Sequence, residues 1–551
     1  MKSATTLLLL SILFQPSWTL ADTSDATDTK GGRSVNLKEV MQAGAENMLN
    51  CCNPQRNYLP YFRIGSPFGE CDDHAWNHNI GRWLDSLLRV EEAIGFKIPP
   101  DRERVMLENL KKFCENPDNL PFGPRDKWME IEPDFYLHSL REYILAVNAL
   151  ARYRKSEWAT EHGHKMLETI WRASKPDGNW NLDEFDTYVN FVAKYKTEKD
   201  KNQGFCPHST SDRVIEALIG FHETTGDPLA RKLADRFASF HLANSTNPDG
   251  SLNVASLQGQ PTGHTHSYLG GLRGLLLYGE MTKQQKYIDA VLATYLVTVR
   301  RIVRESGYAC HDLEQIPGKV TNVPEAASAG DAAQLAMWLA FRHGHEEFLD
   351  DAERWVRCRI VPGQIPEKYA KDGNGQVDRR FLGGWGAYHQ PQGGMMCYPD
   401  VTAAVLHTLC DVYRHIAVRS GTDLKVNFHF DYEDDNVRIT SRRAEEAEVS
   451  ISPKNQDDVF IRIPGWTPPE SVRITVDGKP LPVKMVGRFA QVRRESLSPS
   501  SKILLRYALP LRTTTETIND AKCEYTWRGD DIVGVSPNTD NRPFYPTAER
   551  K

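Results

Sequence analysis

From Val35 onward, apolar residues recur three and four positions apart in twelve stretches of the chain. The pattern predicts helices over roughly 36–51, 78–95, 101–115, 135–154, 158–173, 209–226, 228–242, 265–281, 283–305, 326–343, 345–360 and 399–417. Asp227-Pro228 reads as an N-cap followed by proline in the first turn. "STSD" before "RVIEALIGF" reads as a capping box with Asp in place of Glu.

The connections say more than the helices. Those leading into the third, fifth, seventh, ninth and eleventh stretches are only about one to six residues long, which forces antiparallel hairpins. Those leading into the even-numbered stretches run to about 19 to 38 residues. They are rich in Gly, Pro, Asn, Asp and aromatic residues, as in "NPDGSLNVASLQGQPTGHTH" and "KPDGNWNLDEFDTYVNFVAKYK". Six hairpins closed into a ring put every long loop on one rim and aim the N-terminus of every even helix at it. The expected fold is therefore mainly α, an (α/α)6 barrel over 35–418, with a binding cleft on the long-loop rim.

After about residue 420 the period changes to two. "VNFHFDY", "VRITSRR", "AEVSISP", "DVFIRIPGW", "SVRITVDGKPL" and "KILLRYALP" alternate polar and apolar residues, predicting an antiparallel β-sandwich over 419–515. "VDGK" marks a hairpin, because Asp-Gly accepts the positive φ of a tight primed turn. The closing segment, 516–551, reads as a polar extension packed across the surface.

Composition adds a location and removes some partners. Lys2, the run "LLLLSILF" and the small residues "TLA" before Asp22 form a secretory signal pattern over 1–21, so the mature protein is expected to be secreted or periplasmic. No later stretch approaches the roughly 20 apolar residues of a membrane span. The 67 basic and 73 acidic residues, net charge −6, are mixed along the chain and form no basic stripe for nucleic acid. Twelve Trp and twenty Tyr suit sugar-stacking clefts as well as cores. Ten cysteines scattered from Cys51 to Cys523 permit disulfides, but their spacing does not set the pairing.

Each long loop delivers a polar and aromatic cluster to an even helix. The second helix follows "ECDDHAWNH", with Asp72, Asp73, His74, Trp76 and His78, and the fourth follows "EIEPDFYLH", with Glu132, Asp134, Tyr136 and His138. The sixth follows "CPHSTSD", the eighth "GHTHSY", the tenth "VPEAASAGD" and the twelfth "HQPQGGMMCYPD". Capping explains a single Asp at such a position, but not His and Trp at the same ends. Glycosidic cleavage uses such a set: an acid for the leaving oxygen, a second group as base or nucleophile, and aromatic walls. Glu325 is the leading carboxylate, since the small, uncharged "PEAASAG" permits desolvation and a raised pKa; simple first-turn placement is the competing reading. His264 and His266 flank a loop-to-helix boundary. Trp76, His78, His138, Trp385, His389, Cys397 and Tyr398 join them as candidate substrate-binding residues. Two histidines can bind a metal, yet no C-x-x-C or H-E-x-x-H accompanies them, and no metal is assigned.

Several of these motifs resemble glycoside hydrolase family 127, the β-L-arabinofuranosidase-like proteins formerly described as a domain of unknown function. "FIRIPGWTPPESVRITVDGKPL" is similar to that family's "LRIPGW…VTVNGKP". "GHTHSYLGGLRGLLLYGEMT", "PEAASAGDAAQLAMWLA" and "GGMMCYPDVTAAVLHTL" follow in the family's order, and the match covers most of the chain. The resemblance implies the same barrel and sandwich. It also implies a zinc held by E-x-C and a later Cys-Cys pair, with one of the paired cysteines as nucleophile. Here Glu325 matches the glutamate, Ala327 stands where the first cysteine belongs, and "MMCYP" offers one cysteine for two. Alignment through Pro399 and Asp400 puts Met396 at the nucleophile and Cys397 at the neighbouring ligand; a shift of one residue makes Cys397 the nucleophile. Either way one of three thiolates remains, so no zinc or other cofactor is expected, and Cys397 reads as an inert buried thiol.

The expected function is that of an exported glycoside hydrolase acting at a chain end of a plant- or algal-type polysaccharide or oligosaccharide. Its acid would be Glu325, partnered by Asp73, Asp331, Asp400 or Glu314, with their separation deciding inversion or retention. Two alternatives stand beside it. One is a polysaccharide lyase using His264, Tyr268, Tyr398 and Arg82; the other is a carbohydrate-binding protein derived from such an enzyme, without turnover.

Overall fold

A computed structural model describes residues 34–65, 69–71, 78–121, 139–180, 213–253, 264–309, 313, 324–371, 374–386, 396–498, 500–518, 521–536 and 549–550. The leader expected over 1–21 lies outside them. Twelve helices of seven residues or more run through the described part: α1 (Leu37–Asn50), α2 (Ile80–Ile94), α3 (Pro100–Phe113), α4 (Leu140–Arg154), α5 (Glu157–Ala173), α6 (Val214–Thr225), α7 (Pro228–Asn244), α8 (Thr265–Thr282), α9 (Gln285–Thr294), α10 (Ala326–His343), α11 (Leu349–Trp355) and α12 (Pro399–Arg414). Single π-helical turns, Tyr295–Val299 and Val356–Ile360, extend α9 and α11. Asp227 caps α7 as its sequence predicts, accepting from the N–H of Leu229 at 2.7 Å and of Ala230 at 3.2 Å. The "STSD" box before α6 lies outside the described residues.

The even helices form a closed inner ring, α2–α4–α6–α8–α10–α12 and back to α2, with the odd helices outside. A helix buried all round carries no polar face, and α10 shows this: every residue from Ala326 to Ala340 is buried. Small residues let the inner helices approach closely. A Cβ on Gly81 of α2 would lie 2.5 Å from the Glu142 carbonyl oxygen of α4, and one on Gly274 of α8 would lie 2.7 Å from the Glu216 nitrogen of α6.

The odd helices end in a repeated tight hairpin. Bridges join Ser174 to Trp180, Thr246 to Leu252, Val303 to Ala309 and Lys371 to Val377. A positive-φ glycine sits in each turn, at 178, 250, 307 and 375. At Gly250 an added Cβ would fall 2.3 Å from the Ala293 carbonyl oxygen, so the hairpin after α7 wedges against α9, the next outer helix. Gly178 meets α7 and Gly307 meets Arg359 in the same way.

The C-terminal sandwich has two antiparallel-rich sheets. One runs Lys479–Leu481, Arg473–Val476, Ile503–Ala508, Glu446–Pro453, Val437–Arg443, Tyr432–Glu433; the other runs Lys484–Val486, Phe489–Val492, Asp458–Arg462, Asp423–Val426, Ala417–Ser420. Asp477 and Gly478, at φ 49° and 80°, turn the hairpin that pairs Val476 with Lys479. The boundary expected at 515/516 falls inside a strand. Leu511–Ile518, Ala521–Arg528, Asp531–Ser536 and Glu549–Arg550 make a separate four-stranded sheet, where the sequence suggested only a polar extension. Its core of Cys523, Tyr525, Trp527, Ile532 and Val535 closes over Tyr308 and Cys358 of the barrel.

The motif "RIPGW" docks the sandwich on the barrel. Arg462, 1% exposed, pairs with Asp350 and Glu353 of α11, and the Gly465 N–H donates to Asp350 Oδ2 at 3.0 Å. Burial pushes the Glu353 carboxyl up, but the guanidinium groups of Arg357 and Arg462 outweigh it and hold the group well below the usual range.

Candidate active site

Six inner helices begin at one rim, and five of them or their caps bury charged side chains within their first two or three turns. Arg82, Arg141, Glu142, Arg213, Glu216, Arg273 and Asp331 come from five of these helices or their caps, and none is more than 6% exposed. Glu142 Oε1 accepts from Arg82 at 2.8 Å, Arg141 at 2.9 Å and Arg213 at 2.7 Å. Glu216 Oε2 accepts from Arg141 and Arg273, each at 3.0 Å, and Arg273 reaches on to Asp331. Burial pushes both glutamates up, yet the surrounding guanidiniums prevail and hold each well below the ordinary range. This lattice forms a rigid charged floor under the rim.

The groups above it are tied to that floor. Arg82 Nη2 donates to His266 Nε2 at 2.7 Å, so His266 carries its proton on Nδ1 and donates to Asp331. Burial first, then the neighbouring Arg82, lowers the His266 pKa, in keeping with a neutral ring. His264 lies beside it, ring centroids 5.7 Å apart, and its Nε2 bonds Glu325 Oε2 at 3.1 Å while its Nδ1 bonds Ser267 Oγ at 2.8 Å. Ser328 Oγ also donates to Glu325 Oε2, at 3.4 Å. Glu325 occupies the N-cap position of α10 without a side-chain capping bond, and its own N–H donates to the Ala309 carbonyl at 3.1 Å, joining it to the hairpin Val303–Ala309. That hairpin is held from the C-terminal sheet: Glu516 accepts from the Ser306 N–H at 3.0 Å and from its hydroxyl at 2.6 Å.

Asp400 stands in the first turn of α12, with its Oδ2 3.9 Å from His78 Nε2. Its side chain keeps 20% exposure, while Oδ1 is buried and finds no hydrogen-bond partner among the described residues. Burial pushes its pKa up to about 6, opposed by Arg82 and reinforced by the negative charge of Glu325. Two carboxylates from neighbouring inner helices thus feel each other across the mouth. Tyr398, just before α12, packs edge-on against Phe62 with centroids 5.7 Å apart.

No protein-family model matches the chain, and no curated protein matches it by sequence. Solved structures do match. The chain is similar to a GH127 β-L-arabinofuranosidase from Geobacillus stearothermophilus T6 at 14% identity, covering 89% of this chain and 80% of that one with a TM-score of 0.52. It is similar to a structure described as a glycoside hydrolase at 11% identity, covering 93% and 84%, TM-score 0.54, and to a GH127 β-arabinofuranosidase at 12% identity, covering 89% and 78%, TM-score 0.53. At these identities the likeness shows the fold: a glycoside-hydrolase-like (α/α)6 barrel with a C-terminal β-sandwich.

The structure gathers His78, His264, His266, Glu325, Asp331, Tyr398 and Asp400 at one end of the barrel. It withdraws some of them from direct chemistry. Asp331 is 2% exposed and committed to Arg273 and His266, so it holds other groups in place. Trp385 is a core residue, fully buried, its indole N–H donating to the Ile360 carbonyl at 2.8 Å. Cys397 is fully buried among Cys51, Tyr61, Ile64 and Phe381, away from Glu325's hydrogen-bond partners. Asp73, Trp76, His138, Glu314 and His389 lie outside the described residues. A zinc of the family-127 kind does not fit these residues. Ala327 offers no donor atom, Met396 Sδ receives the Tyr398 hydroxyl at 3.5 Å, and the Cys397 sulfur faces the side chain of Asn47 at 3.6 Å.

The sequence reading missed the charged floor. Its signal was present in "IGRWLDSLL", "LREYILAV", "RVIEALIGF" and "GGLRGLLLY", where an ionic residue interrupts a run apolar on every face. Such a residue has to meet an opposite charge inside.

Proposed function

We propose that this chain is an exported glycoside hydrolase that cleaves a plant- or algal-type polysaccharide or oligosaccharide at a chain end, with carboxylates rather than a zinc-bound cysteine. Asp400 is the proton donor to the leaving oxygen. Glu325, oriented by His264 and Ser328, is the second carboxylate, acting as base or nucleophile. The observation that supports this most is the contrast between the two: Glu325 accepts hydrogen bonds from its neighbours, while Asp400 has one buried, unpartnered oxygen and a pKa of about 6. Environments that separate two carboxylates in this way assign acid and base roles. The fold shared with glycoside hydrolases agrees with the reading. His78 stands beside Asp400, where a sugar ring would meet a polar edge.

The test is release of reducing sugar from a panel of plant and algal polysaccharides, with Glu325→Gln as control. Loss of turnover by at least about a hundredfold in that variant is expected from removal of a reacting carboxylate. Full activity in Glu325→Gln sinks the assignment. Binding of a glycan with no turnover by the parent protein would identify a carbohydrate-binding protein instead.

A further inference from the structure

The end of α1 and the strand that leads into α12 meet in a small closed cluster, built from Cys51, Tyr61, Ile64, Ile365, Ala370, Phe381 and Cys397. Backbone pairing fixes both cysteines. Cys397 lies opposite Ile64 in the antiparallel pairing of Met396–Cys397 with Arg63–Gly65, and the Tyr61 N–H donates to the Cys51 carbonyl at 3.0 Å. The two sulfurs share a neighbour: each is 3.6 Å from Asn47 Oδ1, and the Cys51 thiol also points at the Arg380 carbonyl at 2.6 Å. Asn47 is itself pinned, its Nδ2 donating to the carbonyls of Arg380 at 2.9 Å and Leu382 at 3.0 Å. Gly384 leaves the room this needs, since a Cβ there would sit 2.4 Å from the Cys397 sulfur and 2.7 Å from Asn47 Oδ1. Neighbouring Cys52 is turned away, its thiol directed at the Met48 carbonyl at 3.6 Å in the main core.

We infer that Cys51 and Cys397 are joined by a disulfide in the mature protein. The link staples the C-terminus of the first helix to the strand three residues ahead of Asp400, and so spans nearly the whole barrel in sequence while crossing one small cluster in space. Formation is a two-electron exchange. The Cys51 thiolate attacks the sulfur of an oxidised dithiol protein or oxidised glutathione, and the Cys397 thiolate then displaces that carrier from the mixed disulfide. The carrier's S–S bond is reduced to two thiols, and the two cysteine protons pass to them. Because both thiols are fully buried in the folded chain, the exchange precedes closure of the cluster during folding.

The experiment uses the full chain with its leader, produced for export, purified without reductant, then denatured in excess iodoacetamide and digested. A cross-linked pair of peptides carrying Cys51 and Cys397, which separates on reduction, is the expected result. Alkylation of both residues, or linkage of either one to a different cysteine, overturns the inference. A second readout is the melting temperature: reductant lowers it in the parent and leaves it unmoved in Cys397→Ser. An equal response of both proteins to reductant also overturns the inference.

Discussion

Replacing Asp400 with asparagine measures what it costs to hold a carboxylate in the mouth of the barrel. The folded-state pKa stands at about 6 against an ordinary 3.8, a difference of roughly two units, and each unit is worth about 1.4 kcal/mol. The sign follows from proton linkage. Between the two values the folded state binds the proton that the unfolded state has released, so the parent loses stability as pH rises from about 4 through 6. Below about pH 4 the group is protonated in both states and costs nothing. Asparagine never ionises. The variant should therefore match the parent at about pH 4 and gain over it through pH 6, reaching a plateau of up to about 3 kcal/mol above pH 7. That figure is a ceiling, because the side chain keeps 20% exposure and solvent screens part of the penalty. Urea unfolding of both proteins at closely spaced pH values reads the difference directly. A gap that stays constant across this range, or a variant less stable than the parent at pH 8, refutes the argument that Asp400 is strained by desolvation. The same residue sets an activity profile. With Asp400 as proton donor, kcat/KM falls as pH rises through about 6, and the asparagine variant loses turnover while gaining stability.

Further outcomes follow from other parts of the molecule. Gly250→Ala forces a Cβ to within 2.3 Å of the Ala293 carbonyl at φ 84°, and should lower stability by at least about 2 kcal/mol. Gly226→Ala, with φ 75° but open space around it, should cost only about 1 kcal/mol; equal melting temperatures for the two variants would contradict the wedge. Arg462→Met removes one guanidinium from Asp350, which keeps Arg488, and one from Glu353, which keeps the buried Arg357; it should cost up to about 3 kcal/mol, and Arg462→Met/Glu353→Gln should lose less than the sum of the two single changes. Denaturant titration of the parent, the two single variants and the double variant checks this, and additivity in the double variant would show that the residues act independently.

Loop lengths carried the fold. Alternating short and long connections are a topological statement, and all twelve expected helices lie on described helices because a hairpin of two to five residues has few alternatives. Period-two alternation carried the sandwich for the same reason. The four-stranded sheet from Leu511 was missed because "LRTTTETI" alternates a polar residue with threonine and lacks the apolar stripe that marks a half-buried strand. At the site, residue types pointed to Glu325, His264 and Asp400 because they interrupt small or apolar stretches at helix starts. Cys397 is buried as its lack of an activating neighbour suggested, whereas Trp385 misled for a physical reason: at the junction of a loop and an inner helix, one side of the backbone faces the mouth and the other faces the wall. Spacing along the chain does not say which side a residue takes. Whether an internal arginine is matched by Glu142 or by Glu216 is likewise set by helix rotation within the ring, which a 3.6-residue period leaves open.

The bracing of the Val303–Ala309 hairpin by Glu516 has a consequence for biogenesis. The carboxylate that anchors the turn behind Glu325 belongs to a sheet whose strands follow both the barrel and the sandwich along the chain. A nascent chain that has emerged only through the barrel and sandwich lacks that anchor, so the turn behind Glu325 is braced only once Leu511–Ile518 has been added.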